Sequence, residues 1–195
     1  MGIILASGSP RRLELLKMIG INDFDVIVDT SEETITPGLT PEEQVIKLSL
    51  QKAMNVAASC GKDDIIIAAD TLVYLSNEPL GKPASVTDAR NMLNKLSGRK
   101  HSVYTGVTLL RNCKHTSEAV CTDVYFRTIK ENEIDEYIKT GEPMDKAGSY
   151  AAQGGAAVFI ERIEGEFFNV MGLPLCKLSM MLKEEYFNPN ESINY

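Results

Sequence analysis

The segment Ser7-Gly8-Ser9-Pro10-Arg11-Arg12 combines the residue types of an anion-binding site. It lies between a short apolar run and an amphipathic stretch, which predicts a tight turn that opens into a helix. The free N–H groups and the dipole of a helix N-terminus attract anions, and small residues let a phosphate approach the backbone. Two arginines at this end oppose the dipole, and a bound anion would remove the conflict. We therefore predict phosphate binding here, the alternative being a solvated basic pair after a serine cap.

A second candidate is Asp70, which interrupts an apolar stretch that runs from Ile65 to Leu75. An unpaired carboxylate costs several kcal/mol to bury, so such a group protonates, pairs with a cation or binds a metal. Ligand sites of α/β proteins lie at the carboxyl ends of central strands, where the sequence places Asp70. We predict a metal ligand or a general base, and the alternative is an acid that caps a turn.

Two neighbouring acids and two lysines could complete such a site. Glu32 and Glu33 follow the second predicted strand, and they could help hold Mg²⁺ only if their loop folds towards Asp70. Lys52 lies at the border of the apolar arc of its helix, and Lys82 lies on a Gly/Pro-rich turn. Both ammonium groups could meet phosphate as point charges, while snorkelling is the alternative for Lys52.

Gln153 lies in a loop of small residues that precedes a strand. Its amide offers both a donor and an acceptor, which suits the edge of a nucleobase, although a turn residue in solvent is the alternative. The chain contains no G-x-x-x-x-G-K-[ST] motif, so any phosphate site here differs from a P-loop.

The helices and strands that must position these residues alternate with one another in the first part of the chain. We predict strands at 3–6, 24–28, 65–69, 101–110, 118–127 and 156–163, and helices at 10–19, 41–59, 87–96, 130–139 and 173–185. The second helix begins with a capping box at Thr40 and Glu43, and its predicted buried stripe is Ile46, Leu50, Ala53 and Ala57. The fourth and fifth strands should pair as an antiparallel hairpin. The pattern predicts an α/β fold with a mixed, twisted sheet and flanking helices, as a single domain over 1–187 with a flexible tail at 188–195.

The composition excludes several classes of function. Lys and Arg number 20 against 27 Asp and Glu, a net charge of −7, so the basic footprint of a nucleic-acid-binding protein is missing. The four cysteines form no C-x-x-C pair, which indicates reduced thiols rather than a zinc or disulfide framework. The sequence shows neither a secretory signal nor an apolar run of transmembrane length. We expect a cytoplasmic protein that binds neither nucleic acid nor membrane.

Nine segments, in order along about nine-tenths of the chain, resemble the Maf family of nucleoside triphosphate pyrophosphatases. The ordered set is far more specific than any one of its parts. The segments are Ala6-Ser7-Gly8-Ser9-Pro10-Arg11-Arg12, Glu33, Gln51-Lys52-Ala53, Ala69-Asp70-Thr71, Gly81-Lys82-Pro83, Leu96-Ser97-Gly98, Pro143-Met144-Asp145-Lys146-Ala147-Gly148, Gln153-Gly154 and Val170-Met171-Gly172-Leu173-Pro174.

The resemblance implies a fold like that of inosine triphosphatases, with two lobes around a cleft. It implies hydrolysis between the α- and β-phosphates with a divalent cation, Mg²⁺ or alternatively Mn²⁺, and it implies a homodimer. Asp70 becomes the general base and Glu33 the main metal ligand, while Asp70 is the candidate second ligand, whose direct contact with the metal stays open. The positions associated with phosphate or substrate are Ser7, Arg12, Lys52 and Lys82.

Three further positions match the branch of the family that prefers dTTP and UTP, namely Arg11, Thr71 and Gln153. One departure is the loop before Gln153, which has Tyr-Ala-Ala where related chains often have Tyr-Gly-Ile. Two alternatives stay open at this point. The protein could perform the same chemistry on modified or purine nucleotides, or it could be a non-catalytic nucleotide-binding regulator of cell division.

Overall fold

The structure is a computed structural model that describes residues 1–31 and 33–183. The strands are β1 (Ile3–Leu5), β2 (Asp25–Val26), β3 (Ile65–Leu75), β4 (Glu78–Leu80), β5 (Lys100–Arg111), β6 (Lys114–Phe126) and β7 (Ile160–Glu164). The helices are α1 (Pro10–Met18), α2 (Pro41–Ala57), α3 (Val86–Leu96), α4 (Glu131–Lys139), α5 (Phe167–Val170) and α6 (Leu175–Met181). Short 3₁₀ helices cover Glu142–Asp145, Ala147–Ser149 and Gly155–Phe159.

The strands form one mixed sheet in the order β2-β1-β3-β5-β6-β7, with β4 paired to β3. β1 is parallel to β2 and β3, whereas β4 and β7 run antiparallel to their neighbours. Only Asn112 and Cys113, both with positive φ, connect β5 to β6, and so short a link requires an antiparallel pair. The predicted mixed α/β sheet and its central hairpin are therefore confirmed.

The prediction that Asp70 ends a central strand is wrong, because β3 continues to Leu75. Leu72–Leu75 extend the apolar run, and the carboxylate is accommodated inside the strand by an ion pair described below. The strand then reverses at Ser76 and Asn77, which both have positive φ, and this two-residue turn leads into β4. Sequence analysis missed β4.

The predicted strand 156–163 is half wrong, because residues 155–159 form a 3₁₀ helix and the strand begins only at Ile160. The 3₁₀ repeat of three residues places Ala156 and Phe159 on the same side, and both are buried. The last predicted helix begins at Leu175, after Pro174. Its predicted end and the predicted tail 188–195 lie outside the described residues. None of the helices in 1–31 and 33–183 is long and apolar enough to cross a membrane.

The chain divides into two compact units. The first contains Met1–Asp70, Thr105–Val120 and the described residues from Gly172 onward, and the second contains Thr71–Tyr104 and Cys121–Met171. In the first unit, a core cluster joins β1, β3 and α2 to the end of β5. Its members are Ile4, Ala6, Ala53, Val56, Ile66, Ala68 and Leu110.

Helix α2 packs very closely on β5 within the first unit. Its N-terminus has the predicted capping box, in which Thr40 and Glu43 each accept a backbone N–H of the other. A side chain at Gly106 would overlap the backbone of α2 at Val45, so only glycine permits this approach. Two residues further along β5, the Thr108 hydroxyl lies 2.8 Å from that of Ser49 on α2. The packing therefore fixes the helix that carries Lys52.

A buried histidine lies in the aromatic core of the second unit. His101 is 2% exposed, its Nε2 lies 2.9 Å from the Tyr150 hydroxyl, and its ring packs edge-on against Phe126 at 4.9 Å between centroids. Burial lowers the pKa of His101 to about 4, although the negative charge of Asp123 acts in the opposite direction. Burial also raises the pKa of the Tyr150 hydroxyl. The imidazole is therefore neutral at neutral pH.

Because of His101, the free energy of unfolding should decrease as the pH falls from 6.5 to about 4. In that window the unfolded chain binds a proton on His101 that the folded chain does not, since the unfolded pKa is about 6.5 and the folded pKa is about 4. The full effect is up to about 3 kcal/mol. In urea unfolding across this range, the pH dependence of the unfolding free energy should decrease by roughly one proton in His101→Gln. His115→Gln, which removes the exposed histidine, is the control variant. An unchanged dependence in His101→Gln would contradict the assignment.

Candidate active site

The turn between β1 and α1 places Ser7 and Arg12 together. The Ser7 hydroxyl accepts the backbone N–H of Ser9 at 3.2 Å and a hydrogen bond from Arg12 Nη1 at 3.3 Å. Arg12 Nε donates to the carbonyl of Gly172 at 2.7 Å. A Cβ at Gly8 would press on the Val28 side chain at 3.3 Å, so the turn is compact. Serine, arginine and a helix N-terminus thus meet at one point, as the sequence predicted.

Asp70, Lys52 and Glu33 form one charged cluster in the same unit. The Lys52 ammonium on α2 donates to Asp70 Oδ1 at 2.5 Å and to Glu33 Oε1 at 2.7 Å. The Asp70 side chain is 3% exposed, that of Lys52 13% and that of Glu33 42%. One ammonium therefore holds a buried carboxylate beside one that solvent reaches. The loop of Glu33 does fold towards Asp70, while Glu32 lies outside the described residues.

The second oxygen of Asp70 is the notable atom of this cluster. Oδ2 is buried, and across the described part of the chain it has no hydrogen-bond partner. A buried carboxylate oxygen without a partner is costly, and this cost would be relieved by a water, a metal or a substrate group. The lone oxygen fits both predicted roles of Asp70.

The donor set also decides which kind of metal site is feasible. Residues 1–31 and 33–183 contain no group of three or more His, Cys, Asp and Glu side chains that could hold a metal ion. Asp70 and Glu33 alone offer two carboxylates. Mg²⁺ is commonly held by one or two carboxylates together with substrate phosphates, whereas Zn²⁺ sites need more protein ligands. The cluster therefore fits a metal that is bound jointly with a phosphorylated substrate.

The charge of Arg12 interacts with the two carboxylates of the cluster, Asp70 and Glu33. Burial lowers the pKa of the Arg12 guanidinium, and the charges of Asp70 and Glu33 counteract this effect. The positive charge of Arg11, the neighbouring residue on α1, adds slightly to the lowering. Arg11 and Arg12 are both partly buried. The first unit thus brings together Ser7, Arg12, Glu33, Lys52 and Asp70, while Arg11 is placed only beside Arg12 on α1.

The loop of Glu33 is fastened to α2 on its N-terminal side by a polar cluster. The Asp29 carboxylate accepts hydrogen bonds from the Ser31 backbone and hydroxyl and from the Asn55 amide on α2. Desolvation acts to raise the pKa of Asp29, but these hydrogen bonds outweigh it and the pKa is lowered. Asn55 also donates to the Ser31 hydroxyl at 3.0 Å.

The same loop is fastened on its C-terminal side by Gln44. This side chain is completely buried, although it is polar. Its amide oxygen accepts the Thr36 backbone N–H at 2.8 Å, and its amide nitrogen donates to the Thr34 carbonyl at 3.3 Å. Helix α2 therefore orients Glu33 from both sides. Sequence analysis missed Asn55 and Gln44, and the only available signal was a polar residue within a helical apolar pattern.

Three predicted residues belong to the second unit. Thr71 is its first residue and directly follows Asp70 in β3. Lys82 is exposed on the turn between β4 and α3, where the Gly81 carbonyl accepts the Gly148 backbone N–H at 3.1 Å. Gln153 is exposed on the turn that precedes the 3₁₀ helix Gly155–Phe159. The substrate roles of these three residues stay predictions.

Solved structures of other proteins have a fold similar to that of this chain. The chain is similar to a HAM1 protein from Coxiella burnetii, with a TM-score of 0.53 and 18% identity over 94% of this chain and 99% of that one. It is also similar to the Staphylococcus aureus Ham1 protein, with a TM-score of 0.51 and 16% identity over 95% and 100%. The likeness to these two proteins confirms the predicted fold class.

Comparison of sequences identifies the family. The family model described as Maf-like protein matches residues 2–185. A relative from Clostridioides difficile (strain 630), named dTTP/UTP pyrophosphatase, is 44% identical over 97% of both chains. A relative of the same name from Clostridium beijerinckii is 48% identical over 94% of this chain and 99% of its own. With its residues 2–185 matched and these relatives spanning nearly its full length, the chain belongs to the Maf-like protein family.

Proposed function

We propose that the protein is a nucleoside triphosphate pyrophosphatase that hydrolyses dTTP and UTP to the monophosphate and pyrophosphate. The observation that carries the proposal is the state of Asp70, a buried carboxylate with one oxygen on Lys52 and the other without a partner in the described residues. Glu33 and the guanidinium of Arg12 lie within electrostatic range of it. The relatives named dTTP/UTP pyrophosphatase support this substrate class.

Hydrolysis of a triphosphate needs positioning and charge neutralisation more than covalent help from the protein. Asp70 Oδ2 would accept the proton of the attacking water, while Lys52 fixes the orientation of this carboxylate through Oδ1. Arg12, which the carbonyl of Gly172 and the hydroxyl of Ser7 orient, would hold negative charge on the phosphates. The β1–α1 turn would add N–H donors at the start of α1.

The two carboxylates define the proposed metal requirement. Glu33 and Asp70 would hold Mg²⁺, or Mn²⁺ in its place, together with the substrate phosphates. When bound, the metal would neutralise phosphate charge and polarise the phosphoryl oxygens. The ammonium of Lys52 bridges the same two carboxylates and balances part of their negative charge.

Base selectivity has a physical limit that shapes the expected substrate profile. Thymine and uracil differ by one methyl group, which a pocket distinguishes by only about 1–3 kcal/mol. Acceptance of both dTTP and UTP is therefore expected. Cytosine differs in its hydrogen-bonding edge, and the amide of Gln153 would reject it more strongly.

The decisive test is pyrophosphate release from a panel of canonical and modified nucleoside triphosphates, with Mg²⁺ and with EDTA. We expect metal-dependent release that is highest for dTTP and UTP and much lower for CTP and the purine nucleotides. Release from purine or modified nucleotides alone would overturn the substrate assignment and leave the chemistry. A folded sample that binds nucleotide without releasing pyrophosphate would instead favour the non-catalytic regulator.

A further inference from the structure

The direction of Gln153 depends on a single tight turn. The backbone N–H of Gly154 donates to the carbonyl of Ala151 at 3.1 Å, so residues 151–154 form a β-turn with Gln153 in its third position. Ala151 and Ala152 are buried, and Gln153 is exposed. The backbone of this turn therefore determines the position and direction in which the Gln153 side chain leaves the main chain.

Two side chains from the C-terminal end of α4 and the residues after it hold both ends of the turn. The hydroxyl of Tyr137 accepts the backbone N–H of Ala151 at 3.1 Å, and the carboxylate of Glu142 accepts the backbone N–H of Gly155 at 2.9 Å. Tyr137 is 4% exposed, and its ring packs edge-on against Phe159 with 5.4 Å between centroids. The first anchor is thus fixed in the core.

Glu142 reaches the turn because the chain reverses directly after α4. The Thr140 hydroxyl donates to the Tyr137 carbonyl at 2.6 Å and accepts the Glu142 backbone N–H at 3.2 Å. Gly141 between them has a φ of +76°, which favours glycine. A Cβ at Gly154 would come within 2.5 Å of the carboxyl carbon of Glu142, so glycine there leaves room for the carboxylate.

We propose that Tyr137 and Glu142 are positioning residues that set base selectivity by fixing the turn of Gln153. The inference rests on the proposed function, in which the Gln153 amide distinguishes uracil and thymine from cytosine. Recognition of a hydrogen-bonding edge requires a correctly placed amide, because a site discriminates between two bases only when its polar group pairs with one and is left unpaired by the other. A carboxylate that accepts a backbone N–H is a strong anchor for this purpose.

The test compares Glu142→Ala, Glu142→Gln and Tyr137→Phe with matched controls. Glu136→Ala removes an exposed glutamate of α4, and Tyr125→Phe removes a hydroxyl that bonds only to exposed Glu164 among the described contacts. We expect the ratio of kcat/KM for UTP over CTP to fall roughly tenfold in Glu142→Ala and Tyr137→Phe. The loss should appear in KM for UTP, with kcat nearly unchanged. Glu142→Gln keeps an acceptor oxygen and should retain most of the ratio.

Hydrogen exchange of the nucleotide-free enzyme provides a readout that does not depend on activity. The Gly155 amide should exchange faster in Glu142→Ala and the Ala151 amide faster in Tyr137→Phe, while both controls keep the parent rates. Gln153→Ala is measured in parallel. If Gln153→Ala lowers the ratio and the anchor variants do not, the inference is overturned and the proposed function stands. If Gln153→Ala leaves the ratio unchanged, the assigned role of Gln153 fails, and the inference fails with it.

Discussion

Asp70→Asn should lower turnover by about 10³-fold or more while the protein remains folded. The change removes the proton-accepting oxygen and the negative charge but keeps the shape of the side chain. General-base catalysis is worth about 10²–10⁴-fold, and loss of a metal ligand adds to this figure. The ammonium of Lys52 keeps Glu33 as its counter-ion at 2.7 Å, so no buried cation is left unpaired. The measurement is pyrophosphate release at saturating UTP with Mg²⁺.

Asp63→Asn is the matched control, since Asp63 is an exposed acid two residues before β3. It should keep the parent rate. Circular dichroism and thermal unfolding of both variants separate loss of chemistry from loss of fold. Turnover near the parent level in pure, folded Asp70→Asn would remove Asp70 from the mechanism.

Gly106→Ala should destabilise the protein by about 3 kcal/mol or more. The new Cβ would lie 2.8 Å from the backbone nitrogen of Ile46 and closer still to the carbonyl of Val45. Overpacking against side chains typically costs 1–3 kcal/mol, and backbone atoms of a helix have less freedom to move away. For a chain of this size the expected loss is roughly 10 °C in Tm. Denaturant unfolding measures it directly.

The matched control is Gly81→Ala, because a Cβ at Gly81 meets nothing within 4 Å among the described residues. Its unfolding free energy should change by only a few tenths of a kcal/mol. In Gly106→Ala the helix that carries Lys52 must shift, so kcat should fall even where the variant remains folded. A variant as stable as the parent would show that β5 and α2 do not need this close contact.

Local sequence patterns predicted the parts of the structure that local interactions form. Thr40 and Glu43 are three residues apart, and the capping box they predict is present. The hydrogen bonds of the Ser7 hydroxyl to the Ser9 backbone and to Arg12 likewise join neighbours. The apolar run at Ile65–Ala69 correctly predicted a buried strand, although its true end at Leu75 shows that one paired acid does not stop a strand.

The pattern failed where the burial of a helix residue depends on a partner outside that helix. The predicted stripe of α2 included Ile46 and Leu50, which are only partly buried, whereas Gln44 and Ser49 are fully buried. Gln44 bonds to the loop of Glu33, and Ser49 bonds to Thr108, 59 residues away. A hydrogen bond makes burial of a polar side chain acceptable, and a single sequence does not reveal such a partner.

The same reason explains which functional residues were missed. Asn55, Tyr137 and Glu142 act on loops through backbone groups or short polar clusters, and their types are common in any helix or turn. By contrast, Asp70 was found because a charge inside an apolar run is rare. The residues proposed to touch substrate are therefore more visible in the sequence than those that orient them.

The hydrogen bond between Arg12 and the carbonyl of Gly172 joins residues 160 positions apart. During synthesis the N-terminal part of a chain emerges first and starts to fold before the rest exists. Arg12 can reach this arrangement only after Gly172 has left the ribosome, and the described residues from Gly172 onward belong to the same compact unit as α1. A nascent chain therefore carries Ser7, Lys52 and Asp70 long before Arg12 is oriented, so the phosphate-binding arginine is the last of these side chains to reach its place.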